Sequence, residues 1–146
     1  MMRRKLLLLT ITILTMTSCR SDDSKDSNSL PNQIKGKWFY TKTVIISGDN
    51  SAILSNEIAN SCEKKSFLEF TDDKVTEYYY KLENNECNLN YSGTSLYHIE
   101  NNILYYETNA SMRIESLNTS ELIFQIELYD YNGDGKKDKF LEYYQK

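Results

Sequence analysis

The sequence predicts an all-β domain built as an eight-stranded antiparallel up-and-down barrel, with an open β-sandwich as the alternative. Three observations predict it. Strand-favouring side chains are abundant, with 12 Tyr against one Pro and 5 Gly in 146 residues. Extended stretches of mixed apolar and polar residues recur at short spacing between residues 37 and 144. Clusters of Asn, Asp, Ser and Thr separate them at hairpin length. Eight strands, once closed, leave a filled core or one small-ligand cavity, and closure removes exposed sheet edges.

The chain opens with an address rather than with the domain. Residues 1–5 carry Arg3, Arg4 and Lys5; residues 6–16 are apolar with interspersed Thr; Thr17 and Ser18 then precede Cys19. This is a basic region, a hydrophobic core and a cleavage site, so residues 1–18 read as a signal peptide. The apolar run of about 11 residues falls short of the ~20 that a membrane-spanning helix needs. Met16-Thr17-Ser18-Cys19 resembles the lipobox of bacterial lipoproteins, which implies that Cys19 becomes the acylated first residue of the mature chain. More than one acyl chain makes a stable anchor. An ordinary secretory peptide cleaved near Ser18 is the alternative. Residues 20–33 are polar and Ser/Asp-rich, the composition of a flexible tether. Arg20 rather than Asp follows Cys19, so the usual inner-membrane retention signal is absent. Ser21-Asp22-Asp23 is similar to the serine–acidic run that sends some Bacteroidetes lipoproteins outward, with a plain soluble spacer as the other reading. The expected location is the outer membrane, on its periplasmic or cell-surface face.

The domain is expected to occupy residues 34–146, enough for one modest core. Residues 37–46 form the first strand, with Trp38, Tyr40 and Val44 on one face and Phe39 and Ile45 on the other. Residues 47–65 are the least regular stretch, and 52–59 suit a helical turn or a lid-like loop. The strand 66–70 turns through Thr71-Asp72-Asp73-Lys74 into 75–82. A polar segment, 83–90, separates this from 93–99. Glu100-Asn101-Asn102 turns into 103–108, and Asn109-Ala110 leads to 112–117. Asn118-Thr119-Ser120 precedes 121–129, and the loop 130–138 precedes the last strand, 139–144.

Gly36-x-Trp38 at the domain start, two cysteines around the second and third strands, and Ile114-x-x-Leu117-x-x-x-x-Leu122 together resemble the lipocalin-like lipoproteins of Bacteroidetes. The resemblance runs from Ile34 to the C-terminus. It implies that Trp38 closes one end of the barrel and that a basic residue near the chain end covers it, for which the sequence offers Lys139 and Lys146. It also implies binding of a small apolar or amphipathic ligand at the other end.

After Cys19 two cysteines remain, Cys62 and Cys87. Export implies an oxidising compartment, and an even pair there reads as a disulfide. Cys62 lies just before the second strand and Cys87 just after the third, at the same end of that hairpin. Closing the 25 residues between them is worth ~3 kcal/mol. Loop 130–138 carries the sharpest chemical pattern. Asp130, Asn132, Asp134 and Asp138 stand at positions 1, 3, 5 and 9 of a calcium loop, with Gly135 at position 6 and the Lys136 carbonyl as a further oxygen. Position 12 is Leu141 rather than Glu, and Asn-Gly and Asp-Gly are also plain turn dipeptides. Calcium, if held, would be structural.

Other functional classes find little support. The formal charge is −4, and loss of Arg3, Arg4 and Lys5 with the signal peptide takes it to −7, against the phosphate neutralisation that nucleic acid requires. His98 is the sole histidine and no catalytic spacing surrounds it. Glu69, Glu77 and Glu107 allow paired carboxylates but form no motif. The clusters Tyr78-Tyr79-Tyr80, Tyr105-Tyr106 and Tyr143-Tyr144 must divide between the two sheet faces. The reading is a non-catalytic barrel that buries its ligand against inward residues such as Trp38, Tyr40 and Tyr80. The alternative is a filled barrel acting as a surface interaction or inhibitor module toward a protein or glycan.

Overall fold

The computed structural model describes residues 29–127 and 130–146. The expected signal segment, Cys19 and the tether as far as residue 28 lie outside the described residues, as do the last two residues of the expected 121–129 strand. A short helix, α1 (Leu30–Gln33), precedes nine strands: β1 (Gly36–Ile46), β2 (Ile53–Ile58), β3 (Phe67–Phe70), β4 (Lys74–Glu83), β5 (Glu86–Glu100), β6 (Ile103–Tyr106), β7 (Ser111–Leu117), β8 (Glu121–Glu127) and β9 (Lys139–Gln145). From β3 to β9 each strand pairs antiparallel with the next, and β9 pairs back onto β1. The sheet is therefore a closed barrel rather than an open sandwich.

Nine strands occupy eight places around this barrel. β3 pairs with the first part of β1, Phe70 opposite Gly36 and Phe67 opposite Phe39. β2 pairs with the second part, Ile58 opposite Lys42 and Ile53 opposite Ile46. Between them the Ala59 N–H donates to the Thr41 carbonyl and the Tyr40 N–H to the Ser66 carbonyl. β2 and β3 thus form one interrupted strand, from which residues 60–65 step out through a 3-10 turn (Glu63–Lys65) and return. The helical turn expected over 52–59 is corrected to strand for a simple reason. Without β2, one edge of β1 beyond Thr41 would be left with unsatisfied backbone groups.

Turn chemistry accounts for the hairpins. Asn84 and Asn85 have φ of 52° and 67°, and Asn101 and Asn102 have 50° and 63°. Two successive left-handed residues match the twist of a two-residue hairpin, and Asn tolerates that conformation best after Gly. The polar segment expected at 83–90 is therefore a continuous hairpin, with β4 running to Glu83 and β5 starting at Glu86. It reads as polar because residues 86–92 project beyond the core and are mostly exposed on both faces. The expected Thr71–Lys74 turn forms, its Thr71 N–H donating to the Lys74 carbonyl.

One end of the barrel is packed solid. Ile34, Trp38, Phe70, Val75, Leu104, Leu122 and Phe124 all bury there, with Leu68, Tyr97, Ile114 and Tyr144 around them. α1 lies at this end, where the sequence suggested tether. Pro31 stands in its first turn, a position that costs no hydrogen bond. The Trp38 indole N–H donates to the Ile34 carbonyl, so the buried polar atom is satisfied. Lys146 Nζ sits 4.3 Å from the centre of the Trp38 ring and also donates to the Gln33 carbonyl at 3.3 Å. Of the two lysines the sequence offered as a cover for Trp38, Lys146 takes the place.

The inward pattern of β1 changes partway along. Tyr40 lies opposite Tyr144 and Lys42 opposite Tyr143, so Thr41 is an extra residue on β1. A bulge of this kind inverts the alternation beyond it. Thr43 and Ile45 then pair with Glu142 and Phe140 on the inner face. Val44, expected on the face of Trp38 and Tyr40, lies on the other.

Candidate functional site

Beyond the packed end the barrel is hollow. A cavity of about 980 Å³ is lined by residues from both halves of the strand order, reaching from Tyr40 and Thr43 on β1 around to Phe140 and Glu142 on β9. That volume falls within the ordinary range for small-molecule sites. Leu68 and Tyr144 belong to both the packed core and the cavity wall and so form its floor. Glu57, Glu63, Thr108 and Ala110 stand at the opposite end, where the β1–β2, β4–β5 and β6–β7 connections frame the mouth.

Alternation along each strand selects the wall. On β4, Val75 is fully buried, and Glu77 and Tyr79 share its parity. Across the hairpin they face Gly93 and Tyr91. Gly93 is needed there: a Cβ at this position would lie 2.1 Å from the Tyr91 phenol oxygen. The ring of Tyr91 fills the space that a side chain at 93 would take. On β6 and β7, Tyr106 and Met112 add to the wall, and Ile126 and Phe140 complete it from β8 and β9. The tyrosine clusters divide between faces as expected. Tyr79, Tyr106 and Tyr144 line the cavity, whereas Tyr78 stacks on Phe67, with ring centres 4.4 Å apart, Tyr105 stacks on His98 and Tyr143 lies under Lys42. Tyr78 and Phe67 also reach its rim.

Of the three residues proposed from the sequence as ligand contacts, Tyr40 lines the cavity, whereas Trp38 and Tyr80 are not among its lining residues. Trp38 closes the opposite end beneath Ile34. Tyr80 has the opposite parity to Glu77 and Tyr79, and its backbone N–H is taken by the Ser66 hydroxyl. The residues that sequence reasoning missed, Tyr79, Tyr91, Tyr106, Met112 and Glu142, become legible only once the buried Val75, Ile114 and Phe124 set the phase of each strand.

The inner wall is polar where a simple lipid pocket would be apolar. Tyr144 donates a hydrogen bond to Glu142 at 2.9 Å, and the hydroxyls of Tyr40 and Thr43 pair at 2.5 Å. The Tyr106 hydroxyl is buried with no hydrogen-bond partner. Burial pushes its phenol well above the ordinary range; the charge of Glu77, a weak hydrogen-bonding approach to that carboxylate too loose to count as a full bond, and the charge of Glu142 add to the effect. Burial also raises the Glu142 carboxyl; the bond from Tyr144 opposes that rise and the nearby Glu77 adds to it.

The disulfide expected from the sequence is present. Cys62 and Cys87 are bonded with Cα atoms 5.4 Å apart, and Cys62 is buried. It ties the 60–65 excursion to the projecting β4–β5 hairpin beside the cavity mouth.

Loop 130–138 is held by its own backbone. The Asp134 and Gly135 N–H groups donate to Asp130, the Lys136 N–H donates to Asp134, and the Asn132 side-chain amide donates to Asp134. The Asn132 amide is the leading cause that holds the Asp134 carboxyl below its usual range. Asp138 is fully buried and accepts from the N–H groups of Tyr131 and Gly48. Gly48 permits that approach, since a Cβ there would lie 2.1 Å from the Lys137 carbonyl oxygen. Among the described residues, no group of three or more His, Cys, Asp or Glu side chains converges as a metal cage.

The Glu142 shift generates a prediction. A carboxyl raised by burial favours the folded state while protonated, and that contribution is lost as pH rises through the folded-state value. Wild-type stability should therefore fall as pH is taken upward out of the acid range. Glu142→Gln should flatten that fall and become the more stable protein near neutrality, in urea melts at stepped pH. Parallel pH profiles for the two proteins would show that the carboxyl is not desolvated. Glu77, Tyr106 and Tyr144 face the same group and are unchanged in both proteins.

Residues 34–124 match the family model described as a lipocalin-like domain. No curated protein matches the chain in sequence. Among solved structures, a bovine lipocalin allergen is similar at 14% identity, covering 81% of this chain and 75% of its own, with a TM-score of 0.44. A dog lipocalin allergen is similar at 17% identity, with coverages of 78% and 74% and a TM-score of 0.42. A bovine odorant-binding protein, solved with a selenium-containing odorant, is similar at 13% identity, with coverages of 81% and 73% and a TM-score of 0.40.

Proposed function

The chain belongs to the lipocalin-like family, and from that premise we propose that it is a lipid-anchored binding protein of the cell envelope. It takes a small apolar or amphipathic molecule into its barrel without catalysis. The cavity of about 980 Å³ carries this reading: the barrel is closed by Trp38 at one end and hollow at the other. Aromatic and aliphatic side chains supply the burial that drives uptake, and the hydroxyls and carboxylates orient what enters. A module that binds a protein or glycan through its outer surface is the second reading. Leu82, Leu89 and Tyr91 on the projecting hairpin, exposed together with Ile53 and Ile58 on β2, are the observation that favours it.

Displacement of the neutral dye N-phenyl-1-naphthylamine tests the first reading. Uptake should be saturable at one site, and Ser95→Phe, which puts a ring into the cavity wall, should weaken it by about tenfold with the melting curve retained. Dye that never saturates would move the assignment to the exposed hairpin.

The anchor rests on the Met16-Thr17-Ser18-Cys19 sequence. Cys19→Ser should release the protein from the membrane fraction of expressing cells. Wild-type protein already found in the soluble fraction would remove the anchor from the proposal. Calcium in loop 130–138 rests on the spacing of Asp130, Asn132, Asp134 and Asp138. Millimolar calcium should raise Tm, and Asp134→Asn should abolish the rise; a Tm indifferent to calcium leaves the loop a hydrogen-bonded turn.

A further inference from the structure

The charge on the cavity wall is of one sign. Glu57, Glu63, Glu77 and Glu142 all line it, and among the described residues no Lys, Arg or His does. None of the four takes part in an ion pair of the described residues, which join Lys35 to Asp72, Lys37 to Glu69 and Lys81 to Glu83 instead. The glutamates are graded in depth. Glu57 is exposed at the mouth and Glu63 is partly covered there, whereas Glu77 and Glu142 stand on the inner wall opposite Gly93 and Thr43. Around them lie the tyrosines 40, 79, 91, 106 and 144.

An anion entering this space would meet carboxylates with no cation to pair with, and a buried unpaired charge is costly. A cation meets the opposite situation. The charge of Glu77 adds to the cost of ionising Glu142, and a positive charge near both relieves it. Phenol faces attract a desolvated cation further. The Tyr106 hydroxyl, buried beside the Glu77 carboxylate, adds a polar group to the same part of the wall.

Resting on the reading of the barrel as a carrier, we propose that its ligand class is an organic cation: an amine or quaternary ammonium with an apolar body. Glu77 and Glu142 receive the charge, the tyrosines enclose the head group, and Met112, Ile126 and Phe140 take the apolar part. Glu57 and Glu63 at the mouth draw the cation in and turn fatty acids away.

A tail-matched series tests this. Decyltrimethylammonium, decanol and decanoate share one alkyl chain and differ in charge. Each is titrated against the purified protein loaded with N-phenyl-1-naphthylamine at neutral pH. The cation should displace the dye at a concentration about tenfold or more below that of decanoate, with decanol between. Glu77→Gln and Glu142→Gln should each narrow the gap between cation and decanol by about threefold or more. Decanoate binding as tightly as the cation would overturn the charge proposal while leaving the carrier intact, since the dye and decanol still bind. So would folded Gln variants with the gap unchanged. Failure of the dye itself to bind would overturn the carrier reading and this proposal with it. The wild-type series stands independently of whether either variant folds.

Discussion

β1 is hydrogen-bonded along both of its edges, and the rest of the molecule depends on that. One edge meets β9 from Phe39 to Ile46; the other meets β3 and then β2. A barrel exists only if its first and last strands find each other, and this contact joins the two ends of the domain. Such a pairing is entropically expensive to form. It is stabilised where Trp38 leaves the strand to plug the barrel. The indole, the Ile34 carbonyl and the Lys146 ammonium draw the start and the end of the domain to one point. Ile34 ahead of the first strand, that strand and Lys146 are thereby fixed in one structure.

The interior divides its two tasks along the barrel axis. The packed end holds the apolar side chains that drive folding, and the hollow end holds tyrosines and glutamates that folding alone would not select. Burying Glu142, and burying the Tyr106 hydroxyl with no more than a loose approach to Glu77, both work against stability. The packed end and the disulfide offset that cost. The Cys62–Cys87 bond matters because it acts where the sheet is weakest, at the interruption between β2 and β3. There the ladder opens for residues 60–65, and the β4–β5 hairpin extends past its neighbours. A covalent tie at that point keeps the cavity mouth from spreading without filling it.

Much of the architecture was legible in the residues. The eight strand places followed from recurrent Tyr-, Ile- and Phe-containing stretches and the Asn and Asp turns between them. The Asn101-Asn102 turn, the Thr71–Lys74 turn and the cysteine pair all form where local chemistry put them. β2 and the tip of β5 were not legible, because a strand exposed on both faces lacks the alternation that identifies a buried one. α1 was not legible because a four-residue helix is too short to carry a period, and only its docking near Trp38 makes it part of the domain.

By itself the sequence determined the all-β class, most of the turn positions and the disulfide, and it offered Trp38 both as a plug and as a ligand contact. These rest on local conformational preference, on the chemistry of single residue types, and on a family likeness carried by position. Which side chains face the cavity was decided by the tertiary structure alone. The extra residue Thr41 inverts the second half of β1, and the neighbouring strands then set which tyrosines and glutamates turn inward. Whether the barrel is hollow was also decided there. A void is the difference between the space eight strands enclose and the volume of the side chains pointing into it. Ser95 and Thr43 are small where larger residues would fill the space. That difference belongs to no single residue, so no stretch of sequence announces it.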